Sequence, residues 1–115
     1  MKKRVFLILA AGLLALFFPF TASAMEEDEV RELAEQIGEA YGICPELLQA
    51  VAWQESRYQE TVQAEGCIGL MQISERWHQD RMDRLGVDSL YDPAGNMAVA
   101  ADYLAELVEK YEDIG

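Results

Sequence analysis

Pro45-Glu46-Leu47-Leu48-Gln49-Ala50-Val51-Ala52-Trp53-Gln54-Glu55-Ser56-Arg57 is the stretch on which the reading of this chain turns. Proline suits the first position of a helix, and Leu47, Leu48, Val51 and Ala52 recur at helical spacing, so the segment predicts a helix from Pro45 to about Arg57. The next position on that stripe is Glu55, with Tyr58 one step further. A carboxylate therefore stands where the pattern asks for a hydrophobe. An ionised carboxylate buried without a partner is costly, so such a group is paired, or protonated with a raised pKa. A raised pKa is what a general acid needs at neutral pH.

The segments on either side also read as helices. Val30, Leu33, Ala34, Ile37 and Tyr41 share one face of a helix from about Glu27 to Tyr41, whose acidic first turn suits the helix dipole and whose stop signal is Gly42. Ile43 precedes Pro45 and is placed to pack back on the following turn. After Arg57 the periodicity breaks from Tyr58 to Cys67, and Gly66 and Gly69 bracket a tight stretch leading into Leu70-Met71-Gln72-Ile73. This reads as a loop, and loops held by a scaffold commonly carry function. Ser74 then serves as N-cap for a helix from about Glu75 to Leu85, with Trp77, Met82 and Leu85 facing inward and Gly86 at its end. Asp92-Pro93 starts a last helix whose apolar face is Met97, Ala100, Ala101, Leu104, Val108 and Tyr111. With no competing strand pattern, repeat or linker, the prediction is an all-α domain of modest core.

The first residues read differently. Met1, Lys2, Lys3 and Arg4 form a basic start, Val5 to Phe18 is an uncharged apolar run, and Ala22-Ser23-Ala24 supplies the small residues of a cleavage site. Residues 1–24 therefore predict a secretory signal peptide, leaving a domain over residues 25–115. The rival reading, an uncleaved anchor, meets the shortness of the run against the roughly 17 to 25 residues of a spanning helix. Three of the nine basic residues and none of the 21 acidic ones fall in the leader, so its removal takes the formal net charge from −12 to −15. Such a surface argues against nucleic acid, whose binding rests on neutralising phosphates, and against anionic membranes. The acidic excess reads as a solvated face.

Cys44 and Cys67 are the chain's two cysteines. Export makes a disulfide between them the expectation, contributing about 3 kcal/mol by the chain-entropy model. The alternative is two small buried hydrophobes that never meet. Two cysteines and a distant His78 lack the ligand spacing of a zinc site, and neither metal nor cofactor is expected.

Glu55-Ser56 ending a helix, then Gly66-Cys67-Ile68-Gly69-Leu70-Met71-Gln72-Ile73, then Tyr91-Asp92-Pro93 with Asn96 and Tyr103-Leu104, resembles the soluble lytic transglycosylase catalytic domain. That family shares the lysozyme-like fold with goose-type lysozymes, and the similarity runs from about Glu29 to Tyr111. The resemblance implies a substrate of peptidoglycan glycan strands and cleavage of the β-1,4 bond between N-acetylmuramic acid and N-acetylglucosamine. Glu55 matches the family's catalytic acid. It would protonate the glycosidic oxygen and then, as carboxylate, take the proton of the muramic C6 hydroxyl as that oxygen attacks C1, giving a 1,6-anhydro end. Ser56, Met71 and Gln72 match positions expected to bind substrate, although Met71 is more often core on general grounds and Ser56 serves equally to hold the helix end. Gly69 and Asn96 are expected to be structural. The family also implies an exported location, periplasmic or in the cell wall, and in some members work beside a secretion or conjugation apparatus.

Two departures accompany the resemblance. Gln63 and Ala64 stand where family members commonly carry a serine, and the family's Ala-Tyr-Asn segment does not occur before Gly115, which implies a C-terminally truncated or minimal domain. Alternatives to the transglycosylase are therefore a muramidase hydrolysing the same bond, with Glu65 or Glu75 as second carboxylate, and a non-catalytic peptidoglycan-binding protein. Trp53, Trp77, Tyr58 and Tyr103 are candidates for stacking on sugar rings, with core packing expected for at least two of them. His78 is expected at the surface.

Overall fold

The computed structural model describes residues 24–112, so the expected leader over residues 1–24 lies almost wholly outside it. The described elements are α1 (Glu27–Tyr41), α2 (Pro45–Ser56), β1 (Gln63–Ala64), β2 (Cys67–Ile68), β3 (Ile73–Ser74), α3 (Glu75–Leu85) and α4 (Pro93–Glu112). The all-α expectation holds, and each helix falls where its signals place it. Gly42 and Gly86 close α1 and α3 in the left-handed conformation, and the Glu29 carboxylate accepts the backbone N–H of Glu26 at 3.1 Å, securing the start of α1.

Periodicity did not reveal a small antiparallel sheet in the order β1-β2-β3, in which Ala64 pairs with Cys67 and Cys67 with Ser74. Strands of two residues are too short to show an alternating pattern. The sheet is nonetheless what turns the loop after α2 into a fixed structure.

Helix α1 packs on α2 and α4, and α3 packs on α4 and β3. Val30 and Ala34 from α1, Leu48 and Ala52 from α2, and Met97 and Ala101 from α4 meet in the core without exposure to water. Ala34, Ala52 and Ala101 let the helix backbones approach closely. On the far side α3 and α4 are tied by Arg81, which bonds Asp102 and Glu106, and by Arg84, which also bonds Asp102. Burial raises the Asp102 pKa, but the hydrogen bonds and charges of Arg84 and Arg81 outweigh it and hold that carboxyl below its ordinary range.

Three expected inward positions are corrected. Trp77 is 68% exposed, and Val108 and Tyr111 are 50% and 37% exposed. Trp77 precedes Met82 by five residues, roughly 140° around a helix of 3.6 residues per turn, and the backbone of His78 between them is non-helical (φ −124°, ψ 17°). Helix α4, at 20 residues, is about 30 Å long and outruns the shorter helices beside it, leaving its last turns uncovered. Among the described residues no helix is long and apolar enough to cross a membrane.

Candidate active site

Glu55 lies in the last turn of α2 and is 2% exposed, the one charged side chain among the buried residues described. Its Oε2 is buried without a hydrogen-bond partner. Burial alone pushes its pKa up to about 8, so at neutral pH the side chain carries a proton. Of the two states open to an inward carboxylate, paired or protonated, the partnerless Oε2 and the pKa raised by burial favour the protonated one.

What keeps it there is the way α2 ends. Arg57 and Tyr58 both take positive φ, 55° and 65°, which turns the chain sharply away after Ser56. The Ser56 hydroxyl lies 2.7 Å from Leu70 O and 3.0 Å from Ala52 O, its single proton serving both carbonyls. Ser56 is fully buried. Of its two expected roles, substrate contact and holding the helix end, the structure displays the second: the hydroxyl braces the end of α2 against the turn between β2 and β3.

That turn is held from beneath by Asn96 of α4. Its Oδ1 accepts the Met71 N–H at 2.7 Å, and its Nδ2 donates to Ile68 O and Leu90 O, each at 2.8 Å. Gly69 crosses directly above it at φ 78°, where an added Cβ would stand 2.5 Å from both Asn96 Nδ2 and Leu90 O. A Gly69→Ala variant is expected to lose about 3 kcal/mol, combining a left-handed backbone penalty of roughly 1 kcal/mol with disturbance of buried hydrogen bonds. Urea unfolding measures this, and an alanine variant of wild-type midpoint would show that the turn yields freely.

Met71 is 1% exposed and packs in the core, so its expected place on the groove is corrected in favour of the general reading of buried methionine. Gln72 is 3% exposed at φ 52°. Its Nε2 donates to Gly69 O at 3.0 Å and Val62 O at 3.2 Å, while its Oε1 is buried with no partner. The amide thus stitches the turn to the loop after α2 and keeps one acceptor unused. Gln59 also holds a buried, unpartnered Oε1. Nothing in its polar loop sequence singled it out.

The disulfide expected between Cys44 and Cys67 is absent, and both are free. Cys44 sits at the N-terminus of α2, where its thiol donates to Glu46 Oε2 at 3.0 Å. Cys67 lies at the other end. Burial, then the charges of Glu55 and Glu65, push its thiol pKa up, and it lies on the strand leading to Leu70, whose carbonyl meets the Ser56 hydroxyl at 2.7 Å. Eleven residues of helix separate Cys44 from Glu55, about 16 Å of axial rise and far beyond bridging range. The alternative carboxylates Glu65 and Glu75 are both exposed. Trp53 is 44% exposed, edge-on to Tyr58 at 5.1 Å and beneath the Arg57 guanidinium, whereas Tyr103 is buried. His78 is half-buried, not at the surface, with its ring against Tyr103. Among the described residues no cluster of His, Cys, Asp and Glu is arranged to hold a metal ion.

Comparison with known proteins adds a family. The family model for the transglycosylase SLT domain matches residues 32–114. A curated relative, the X polypeptide of Escherichia coli, is 33% identical over 109 residues, covering 86% of this chain. The chain spans 61% of that relative's length. No solved structure matches the chain significantly.

Proposed function

The chain belongs to the transglycosylase SLT domain family, and from that membership together with the state of Glu55 we propose that it is an exported lytic transglycosylase of peptidoglycan. The four described helices form the helical lysozyme-like fold of the family, whose members act on peptidoglycan in the periplasm or outside the cell. The proposed reaction cleaves the β-1,4 bond between N-acetylmuramic acid and N-acetylglucosamine. The basic start, apolar run and Ala22-Ser23-Ala24 of residues 1–24 support export.

The observation that carries this reading is a solitary, buried, protonated carboxyl whose Oε2 has no internal partner. A proton held there is available to a glycosidic oxygen that enters the site. Once it is given up, the remaining carboxylate is poorly solvated and hence a strong base, suited to recovering a proton from the C6 hydroxyl as that oxygen attacks C1. The C1–O bond to the leaving sugar breaks, a C1–O6 bond forms, and the carboxyl returns to its starting state. One group serves as acid and then as base. Glycosidases that hydrolyse through two carboxylates set both flanking the bond, about 5 to 9.5 Å apart. Here Glu65 and Glu75 are exposed, which favours the one-carboxylate route over the muramidase.

In this scheme Ser56, Gly69 and Asn96 hold the turn that is tied to the Glu55 end of α2, and Gln72, whose Oε1 has no internal partner, is the amide proposed to meet a sugar hydroxyl or amide. Digestion of purified peptidoglycan by the chain starting at Met25, read by mass spectrometry, tests the proposal. Anhydro ends, one water lighter than reducing ends, are expected. Reducing ends would establish hydrolysis, and binding without release would leave a non-catalytic wall-binding protein.

A further inference from the structure

The geometry points to Trp77 as a sugar-stacking residue on the rim of the Glu55 site, an inference that rests on the glycan-cleaving reading above. Trp77 is the most exposed of the large hydrophobic side chains described, at 68%, on a helix that buries Met82 almost completely and packs Leu85 against the core. A wide aromatic ring exposed to water adds little to the stability of the fold. The Arg76 guanidinium stands 5.5 Å from its ring centroid, and Arg76 makes no ion pair among the described residues. An exposed aromatic presents an apolar face of the size that a pyranose ring covers with its axial C–H bonds.

Its position follows from the small sheet. Ala64, Cys67 and Ser74 are successive cross-strand partners on β1, β2 and β3, so their side chains share one face. Cys67 is close enough to Glu55 to feel its charge, and the Ser56 hydroxyl reaches Leu70 in the turn joining β2 to β3. That face therefore borders the end of α2. Ser74 is also the N-cap of α3, and Trp77 is its third helical residue. N-cap and N3 side chains lie on the same side of a first turn, the geometry on which capping boxes depend. Trp77 thus stands one turn beyond the face shared with Cys67. Trp53 offers a contrast: it precedes Glu55 by two residues, so it points roughly 200° away around α2.

The chain has two tryptophans, which makes the test direct. In a Glu55→Gln background, Trp53→Phe leaves Trp77 as sole fluorophore, and Trp77→Phe leaves Trp53. The probe is a soluble tetrasaccharide of alternating N-acetylglucosamine and N-acetylmuramic acid, titrated into each, with affinity measured separately by calorimetry. Trp77 emission is expected to shift saturably while Trp53 emission does not. Trp77→Ala is expected to weaken binding about tenfold, the effect of losing an aromatic anchor, with the urea midpoint unchanged because the ring is exposed. Tetrasaccharide binding that leaves Trp77 emission and Trp77→Ala affinity untouched would overturn this inference while sparing the proposed function. If no variant binds the tetrasaccharide and the wild-type chain releases no muropeptides, the function itself falls and this inference with it.

Discussion

Glu55→Gln is expected to make the protein more stable at neutral pH while removing the proposed glycan-cleaving activity. The unfolded chain ionises this side chain near 4.5 and the folded protein near 8. Between those values the native state holds a proton that the unfolded state has released, so stability falls as pH rises, by about 1.4 kcal/mol per pH unit. The stabilising effect of the protonated form is thus complete below about 4.5 and lost as pH climbs through about 8. Glutamine has the same shape and no charge to desolvate. The variant should match the wild type at pH 4 and exceed it by about 3 kcal/mol at pH 7, roughly 12 to 24 °C in melting temperature for a domain of this size.

Other carboxylates titrate in the same experiment. Asp102 and Glu106 are held below their ordinary range by Arg84 and Arg81 and lose their contribution in acid. They do so in both proteins, so they cancel in the difference. Urea unfolding at five values between pH 4 and pH 8 gives the curve, and a difference that does not grow with pH would remove the buried neutral acid. Peptidoglycan cleavage by the variant should fall by about a thousandfold, the scale of a lost general acid, and wild-type cleavage should decline as pH rises through about 8. Gain of stability together with loss of cleavage would mark Glu55 as a residue that serves the proposed reaction and not the fold.

Much of this was legible in the chain, for reasons that differ by element. The helices announced themselves because Pro45, Pro93, Gly42 and Gly86 mark their ends in the local chemistry of the backbone, and Glu55 stood out because it broke a stripe. The stripe itself was wider than the core needs: Leu48 and Ala52 are buried, but Leu47 is 48% exposed. Periodicity finds which residues share a side, not how far the neighbouring helices reach, and for the same reason the apolar row of α4 ran on to Val108 and Tyr111. The short strands carried no pattern at all. The roles of Ser56 and Met71 and the absence of the disulfide depended on what lies opposite in space. Cysteine count and compartment argued for a bond that the length of α2 forbids. Sequence matched Glu55, Gly69 and Asn96 to positions, and only the fold shows that Gly69 is glycine because Asn96 lies beneath it.

Asn96→Ala is expected to be the most damaging single change in the domain. It leaves the Met71 N–H without an acceptor and withdraws the donors of Ile68 O and Leu90 O, all around a side chain with no exposure to water. A buried donor left unpaired costs roughly 1 to 3 kcal/mol, so the total is expected near 4 kcal/mol. That is a large part of the 5 to 15 kcal/mol by which small domains are stable, so the variant is expected to be partly unfolded at 37 °C. Asn96→Asp keeps the measurement decisive if alanine fails to fold. It preserves an acceptor for Met71 but turns a second oxygen toward two carbonyls, so the fold should prefer it protonated. Its folded pKa is then raised, and the variant should regain stability relative to wild type as pH falls, most fully below the ordinary aspartate range. A loss under 1 kcal/mol for Asn96→Ala would mean that water replaces the amide. A pH-independent Asn96→Asp would mean that Ile68 O and Leu90 O do not depend on its donors. The turn pinned by Asn96 is the one that Ser56 grips, so loosening it also frees the end of α2 that carries Glu55. Activity at temperatures where the variant remains folded should therefore drop with it, because an acid with a pKa raised by burial keeps that pKa only while its surroundings stay closed.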